Sequence, residues 1–202
     1  MPPVFKSKRN AVCLQDGIVV KKLKTPEAAK LESEFLSRLY DKGVPVPRAE
    51  LVDPLTIHLE YIDSLTLPDY LDILEQNHGS GLLTAAADAL AEWLVIFYGA
   101  INHNSTGEIR GDVNGRNFLY ANGTFYGVDF EEHCYGAIEQ DVGRIIAFVS
   151  TYTPPDTKIK KAFAARLNET LSRKVPLDAS LVERHRVQEL ARMRVRRRYN
   201  NQ

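Results

Sequence analysis

The sequence predicts an α+β fold of two lobes, a small lobe of mixed antiparallel sheet over residues 1–63 and a mainly helical lobe over residues 64–202. Three observations predict it. Short β-branched and apolar runs, punctuated by Asp16-Gly17 and Asp53-Pro54, fill the first part of the chain around a single helical stretch. From Pro68 onward the apolar residues recur at helical spacing. One hairpin signal interrupts that helical part, Asn122-Gly123 between Phe118-Leu119-Tyr120 and Phe125-Tyr126-Gly127-Val128, with acidic residues before and after it.

Taken in order, Ala11–Leu14 and Ile18–Leu23 pair across the Asp-Gly turn, and the second strand carries Lys21. Thr25 is a helix N-cap and Pro26 suits the first helical position. The helix runs to about Asp41, with Leu31, Phe35, Leu36 and Leu39 on one face, and Gly43 ends it. Val44-Pro45-Val46-Pro47 must be extended, because each proline disfavours helix in the residue before it. Leu51-Val52 and Thr56–Ile62 form two more strands, and the border between lobes falls near Asp63–Leu67. Helices follow at Pro68–Gln76, after the Gly79–Gly81 break at about Leu83–Ile101, and beyond the hairpin at Ile138–Tyr152, Asp156–Lys174 and Ala179–Tyr199.

Composition narrows the classes. With 44% hydrophobic residues in 202, the chain can bury a real core. Lys plus Arg (26) equals Asp plus Glu (26), so no global charge argues for nucleic acid or membrane. Cys13 and Cys134 lie far apart and match no metal-ligand spacing, which speaks against a disulfide framework or a zinc site and fits a cytoplasmic compartment. No signal-peptide core is visible, and the apolar run near Trp93–Ile101 is interrupted by Gly99, so no membrane span is expected. Charge is uneven at one end: Glu183–Gln202 holds seven Arg and two Glu, a local +5. That tail reads either as a footprint for RNA, a phosphate-rich substrate or a partner protein, or as a solvated helix end whose cations the helix dipole favours. His103 and His133 read as structural.

The chemistry-bearing residues lie around the hairpin. Asp112 precedes Asn117 by five residues, Asp129 follows the second strand, and the turn would bring the three together. An Asp to accept a hydroxyl proton, with an Asn and an Asp to hold magnesium on nucleotide phosphates, is an arrangement used for phosphoryl transfer. Five places in order then give the whole chain a resemblance to the protein-kinase-like superfamily. Ile18-Val19-Val20-Lys21-Lys22-Leu23 looks like the strand whose lysine meets the nucleotide phosphates, with Lys21 the better candidate and Lys22 the alternative. Glu32 is its ion-pair partner by resemblance, preferred to Glu34 for its distance to the Gly43-Val44-Pro45-Val46-Pro47 turn, which resembles that of small atypical kinases. Leu59-Glu60-Tyr61-Ile62 looks like a hinge that offers adenine the Glu60 carbonyl and the Ile62 amide. Asp112 and Asn117 resemble the catalytic-loop base and metal ligand, and Asp129-Phe130-Glu131 resembles the metal-binding Asp-Phe-Gly.

The departures from the family pattern carry information too. Lys6–Gly17 contains one glycine, so no Gly-rich phosphate loop is visible. Arg110-Gly111-Asp112 stands where many small kinases have His-Gly-Asp, and Asn114 stands where protein kinases have a lysine. Glu131 in place of glycine resembles choline kinases and aminoglycoside phosphotransferases, and could add a carboxylate near magnesium. Only eleven residues separate Asp129 from Asp141, which leaves no room for a regulatory activation segment. The 49 residues between Ile62 and Asp112 suffice for two helices, and the Glu139-to-Val142 run and Arg-rich end look most like the KEOPS-complex kinase, with RIO and lipopolysaccharide kinases as cousins. The resemblance implies ATP- and magnesium-dependent transfer of a γ-phosphoryl group to an alcohol hydroxyl, of atypical Ser/Thr type. The alternatives are a small-molecule kinase and a pseudokinase-type scaffold that binds nucleotide without transfer.

Overall fold

The computed structural model describes residues 4–5, 10–77, 80–101 and 107–200. The first strands are β1 (Val4–Phe5), β2 (Ala11–Gln15) and β3 (Ile18–Lys22), followed by helix α1 (Pro26–Asp41), β4 (Ala49–Asp53) and β5 (Thr56–Glu60). They form a five-stranded antiparallel sheet in the order β1-β2-β3-β5-β4. The β2–β3 turn has Asp16 at φ 50° and Gly17 at φ 79°, two successive left-handed residues of the kind that match the twist of a tight hairpin. Thr25 caps α1 by accepting a hydrogen bond from the Ala28 amide.

One expectation for α1 fails. Leu31 is 59% exposed, and the buried stripe consists of Ala29, Glu32, Ser33, Phe35, Leu36 and Leu39. The stripe steps 29-32-36-39, and Leu31 lies one residue off it, about 100° around the helix. A carboxylate therefore takes the place inside that an aliphatic side chain was expected to fill.

Next come β6 (Leu65–Thr66), α2 (Leu67–Asn77) and α3 (Ser80–Ala100), then β7 (Gly107–Ile109) and a 3₁₀ turn at Gly115–Asn117. β8 (Phe118–Ala121) and β9 (Thr124–Gly127) form the expected hairpin, with Asn122 and Gly123 left-handed. β6 adds to β8 to make a three-stranded sheet, and β10 (Cys134–Gly136) pairs with β7. The chain ends with α4 (Ile138–Thr151), α5 (Lys158–Lys174) and α6 (Ala179–Asn200). His103 lies outside the described residues, as do Lys6–Arg9 of the stretch searched for a phosphate loop.

The α3 segment is longer than the apolar run seen in sequence. Gly81–Ala100 is apolar and long enough to cross a membrane by length and composition, yet half of it is buried inside this fold. Leu90, Trp93, Leu94 and Phe97 are buried, Trp93 stacks on Phe97, and both rings approach Phe130. Here α3 is the central core helix, held to α5 by Arg166, which donates both to Asp88 Oδ1 and to Asp88 Oδ2 at 2.8 Å.

One backbone atom links the extended turn after α1 to the helical part. The Pro45 carbonyl accepts from the Trp93 indole at 2.8 Å and from the Gly127 amide at 3.0 Å.

Candidate active site

Strand period decides between the two adjacent lysines. Successive side chains on β3 point to opposite faces, so Lys21 turns inward and is buried while Lys22 is exposed. Helix period decides between the glutamates: Glu32 is buried, whereas Glu34 is exposed and pairs with Lys30. Lys21 Nζ lies 2.8 Å from both Glu32 carboxylate oxygens and is aligned for a hydrogen bond to Oε1. The same ammonium lies 3.0 Å from Asp129 Oδ1 and 2.7 Å from Glu131 Oε1. Three carboxylates from two segments, α1 and the stretch after β9, thus share one cation, and Asn10 also donates to Glu131.

The electrostatics follow from that count. Burial opposes the Lys21 charge, but Glu32, Asp129 and Glu131 more than offset it, and its pKa is raised. Burial also pushes the Glu32 carboxyl up; Lys21 opposes that shift, and the Asp129 and Glu131 charges add to it. One ammonium against three carboxylates leaves 1 − 3 = −2. Ligand oxygens of Glu32, Asp129 and Glu131 all lie within 4.8 Å of one another. Hard oxygen donors carrying excess negative charge fit magnesium.

The second group gathers on the loop between β7 and β8. The Asn117 side-chain amide donates to Asp112 Oδ2 at 3.1 Å, so its oxygen is the atom that could meet a cation. Asp112 Oδ1 accepts from the Asn114 amide at 3.0 Å. Tyr152 supports the loop from α4's end, accepting from the Gly115 amide at 2.7 Å and donating to Asn114 Oδ1 at 3.2 Å.

Arg110 ties the two groups together, a role no sequence spacing announced. It is 1% exposed, donates to the carbonyls of Asp112 (2.9 Å), Asn117 (3.2 Å) and Val128, and lies over the rings of Phe130, Phe118 and Trp93. Burial pulls its pKa down to about 10, against the opposing pull of Asp112, Asp129 and Asp141, so it is a cation at neutral pH. Asp141, seen in sequence only as part of a family-like run, is buried and accepts from the amides of Arg110 (2.8 Å) and Gly111 (3.1 Å) and from the Tyr98 hydroxyl (3.0 Å). Burial raises its pKa in spite of these donors.

Two backbone features fix the Asp129 segment. Asp129 itself has φ 62°, a left-handed conformation that Asp adopts more readily than most non-glycine residues. Gly111 has φ 77°, and a Cβ there would stand 2.1 Å from the Glu132 carbonyl oxygen. His133 is stacked on Phe35 of α1 at 4.2 Å with Nδ1 at 2.8 Å from the Phe130 carbonyl.

The strand expected to reach Ile62 ends at Glu60, so Leu59 and Glu60 of the hinge lie on the same sheet as Lys21 while Tyr61 and Ile62 follow it as irregular chain. Lys21 pairs with Ile57, and Glu60 follows on β5 about 10 Å further along. The Glu60 amide donates to the Arg48 carbonyl at 2.9 Å, and the Ile62 carbonyl accepts from Ser64 Oγ at 2.9 Å. Beside Gly111 and Asp112 opens a cavity of about 610 Å3 whose other walls come from Glu132, α4 and α6.

No family model matches the chain, and no curated protein does. Solved structures do. A streptomycin–ATP–APH(2″)-IIa ternary complex superposes with TM-score 0.68 at 13% identity, over 92% of this chain and 81% of that one. The ADP-bound aminoglycoside phosphotransferase APH(2″)-Ib gives 0.66 at 13% identity over the same shares. Amicoumacin kinase hAmiN, in complex with AMP-PNP, Ca2+ and amicoumacin, gives 0.60 at 13% identity, over 88% of this chain and 73% of that one. A common architecture at that identity carries the fold and nothing finer: the chain has the protein-kinase-like fold, α+β with a small antiparallel sheet and a helical part.

Proposed function

We propose that the chain is an ATP- and magnesium-dependent phosphotransferase that moves the γ-phosphoryl group to an alcohol hydroxyl. The observation that carries this reading is the buried Lys21 ammonium held by Glu32 and Asp129, on the same scaffold as the Asp112–Asn117 pair. Lys21 orients the nucleotide phosphates, and Glu32 fixes Lys21. The Glu60 carbonyl and Ile62 amide receive adenine. Asp112 holds the acceptor hydroxyl and takes its proton. Asn117 and Asp129 hold magnesium, with Glu131 close enough to join them; the ion supplies charge neutralisation on the phosphates. The division at residues 63–64 between two lobes belongs to the same proposal, supported by the pairing of β6 with β8.

A small-molecule acceptor fits better than a protein Ser/Thr side chain. The cavity beside Asp112 has the volume of a small-ligand site, and the similar structures are named for complexes with streptomycin and amicoumacin.

The test is Asp129→Ala. It should abolish magnesium-dependent ATP turnover while circular dichroism shows the fold intact. Retained turnover would remove Asp129 from the metal site. Nucleotide binding by the wild type, with no turnover on any hydroxyl acceptor, would assign the scaffold role instead.

A further inference from the structure

The cavity beside Asp112 has one wall that the phosphotransferase reading does not explain. It is lined by Arg144 of α4 and by Arg192 and Arg196 of α6, grouped around Glu189. Glu189 is buried, 4.0 Å from Arg144, 3.6 Å from Arg192 and bonded to Arg196. One carboxylate among three guanidinium groups leaves 3 − 1 = +2 on that wall. Arg144 also donates to the Gly111 carbonyl at 2.9 Å, whereas the Arg192 and Arg196 side chains are each 59% exposed. Their planar forks therefore combine a fixed anchor on Glu189 with donors open to solvent. Such forks bind phosphate and carboxylate in bidentate fashion and repel cations. Besides Glu189, two carboxylates line the cavity, Asp112 and Glu132, and both stand on the catalytic-loop side, opposite the arginines.

We propose that the acceptor is a small hydroxyl compound bearing a phosphate or carboxylate group, with the anion on Arg192 and Arg196 and the hydroxyl at Asp112. This rests on the phosphotransferase reading. In the transfer, the acceptor oxygen bonds to the γ-phosphorus, the bond from that phosphorus to the β,γ-bridging oxygen breaks, and ADP leaves with the electron pair. The hydroxyl proton passes to Asp112, so the products are a phosphate ester and ADP. A polycation of the streptomycin kind meets the wrong charge on this wall.

The test is titration calorimetry on the full chain saturated with AMP-PNP and magnesium, so that the nucleotide site is filled. Glycerol 3-phosphate, glycerate, glycerol, streptomycin and a short ribo-oligonucleotide serve as probes. At least one of the two anions should bind at least tenfold tighter than glycerol, streptomycin should not bind, and Arg192→Gln/Arg196→Gln should lose that preference. Arg184→Gln/Arg194→Gln, with the same change in net charge, should keep it. Equal binding of glycerol or streptomycin, no anion binding, or an unaffected Arg192/Arg196 double variant would each overturn the proposal. Tighter binding of a ribo-oligonucleotide, weakened equally in both double variants, would overturn it in favour of nucleic acid along the whole helix. The preceding AMP-PNP titration keeps the two readings apart. Nucleotide binding without anion preference sinks only the acceptor assignment, and absence of nucleotide binding sinks the reading beneath it.

Discussion

Gly111 lies against the Glu132 carbonyl so closely that no side chain fits, and its positive φ would strain one anyway. Gly111→Ala should therefore cost about 2–4 kcal/mol, the sum of the backbone strain and the displaced carbonyl. Differential scanning calorimetry checks this as a fall of roughly 2–4 °C per kcal/mol; a melting temperature within a degree of wild type would show that the two loops can separate freely. At this scale the order along the chain and the family resemblance brought Lys21, Glu32, Asp112, Asn117 and Asp129 to notice, while the strand and helix periods explain why Lys21 and Glu32 are buried and their alternatives Lys22 and Glu34 are not. Arg110 and Asp141 were not. Each binds backbone groups that the fold delivers from other segments, and such partners leave no spacing in sequence.

Long elements announced themselves and short ones did not. The capped α1, the α3 core helix and both tight hairpins show period, cap or turn chemistry, whereas β6, β7 and β10 have two or three residues each and too little pattern to read. The packing of α3 on α5 supplies a prediction about pH. Hydrogen bonds from Arg166 and Thr170 hold the Asp88 carboxyl below its ordinary 3.8. Its contribution is thus present above that value and is lost as pH falls through the lowered folded pKa. The ion pair is about one-third exposed, so screening keeps it near 0.5–1 kcal/mol. Urea denaturation should show Asp88→Asn weaker than wild type by about that amount at pH 7, with the gap closing below pH 4. A gap that widened in acid would contradict the sign.

Balanced formal charge over the whole molecule conceals two opposite local fields, the −2 cluster around Lys21 and the +2 wall of α4 and α6. The first bears on the nucleotide binding proposed above. A phosphate that approaches Lys21 must displace Glu131, so in chelator Glu131→Gln should bind ATP about three- to tenfold tighter than wild type, the worth of one partly solvated charge contact. Fluorescence titration with a labelled nucleotide would measure it, and equal affinities would mean that Glu131 yields at no cost. The Pro45 carbonyl has a mechanical consequence. A single oxygen that receives both the Trp93 and the Gly127 donors makes one joint of three elements, the exit of α1, the α3 helix and the end of β9. A shift of any one of them is thereby felt by the other two.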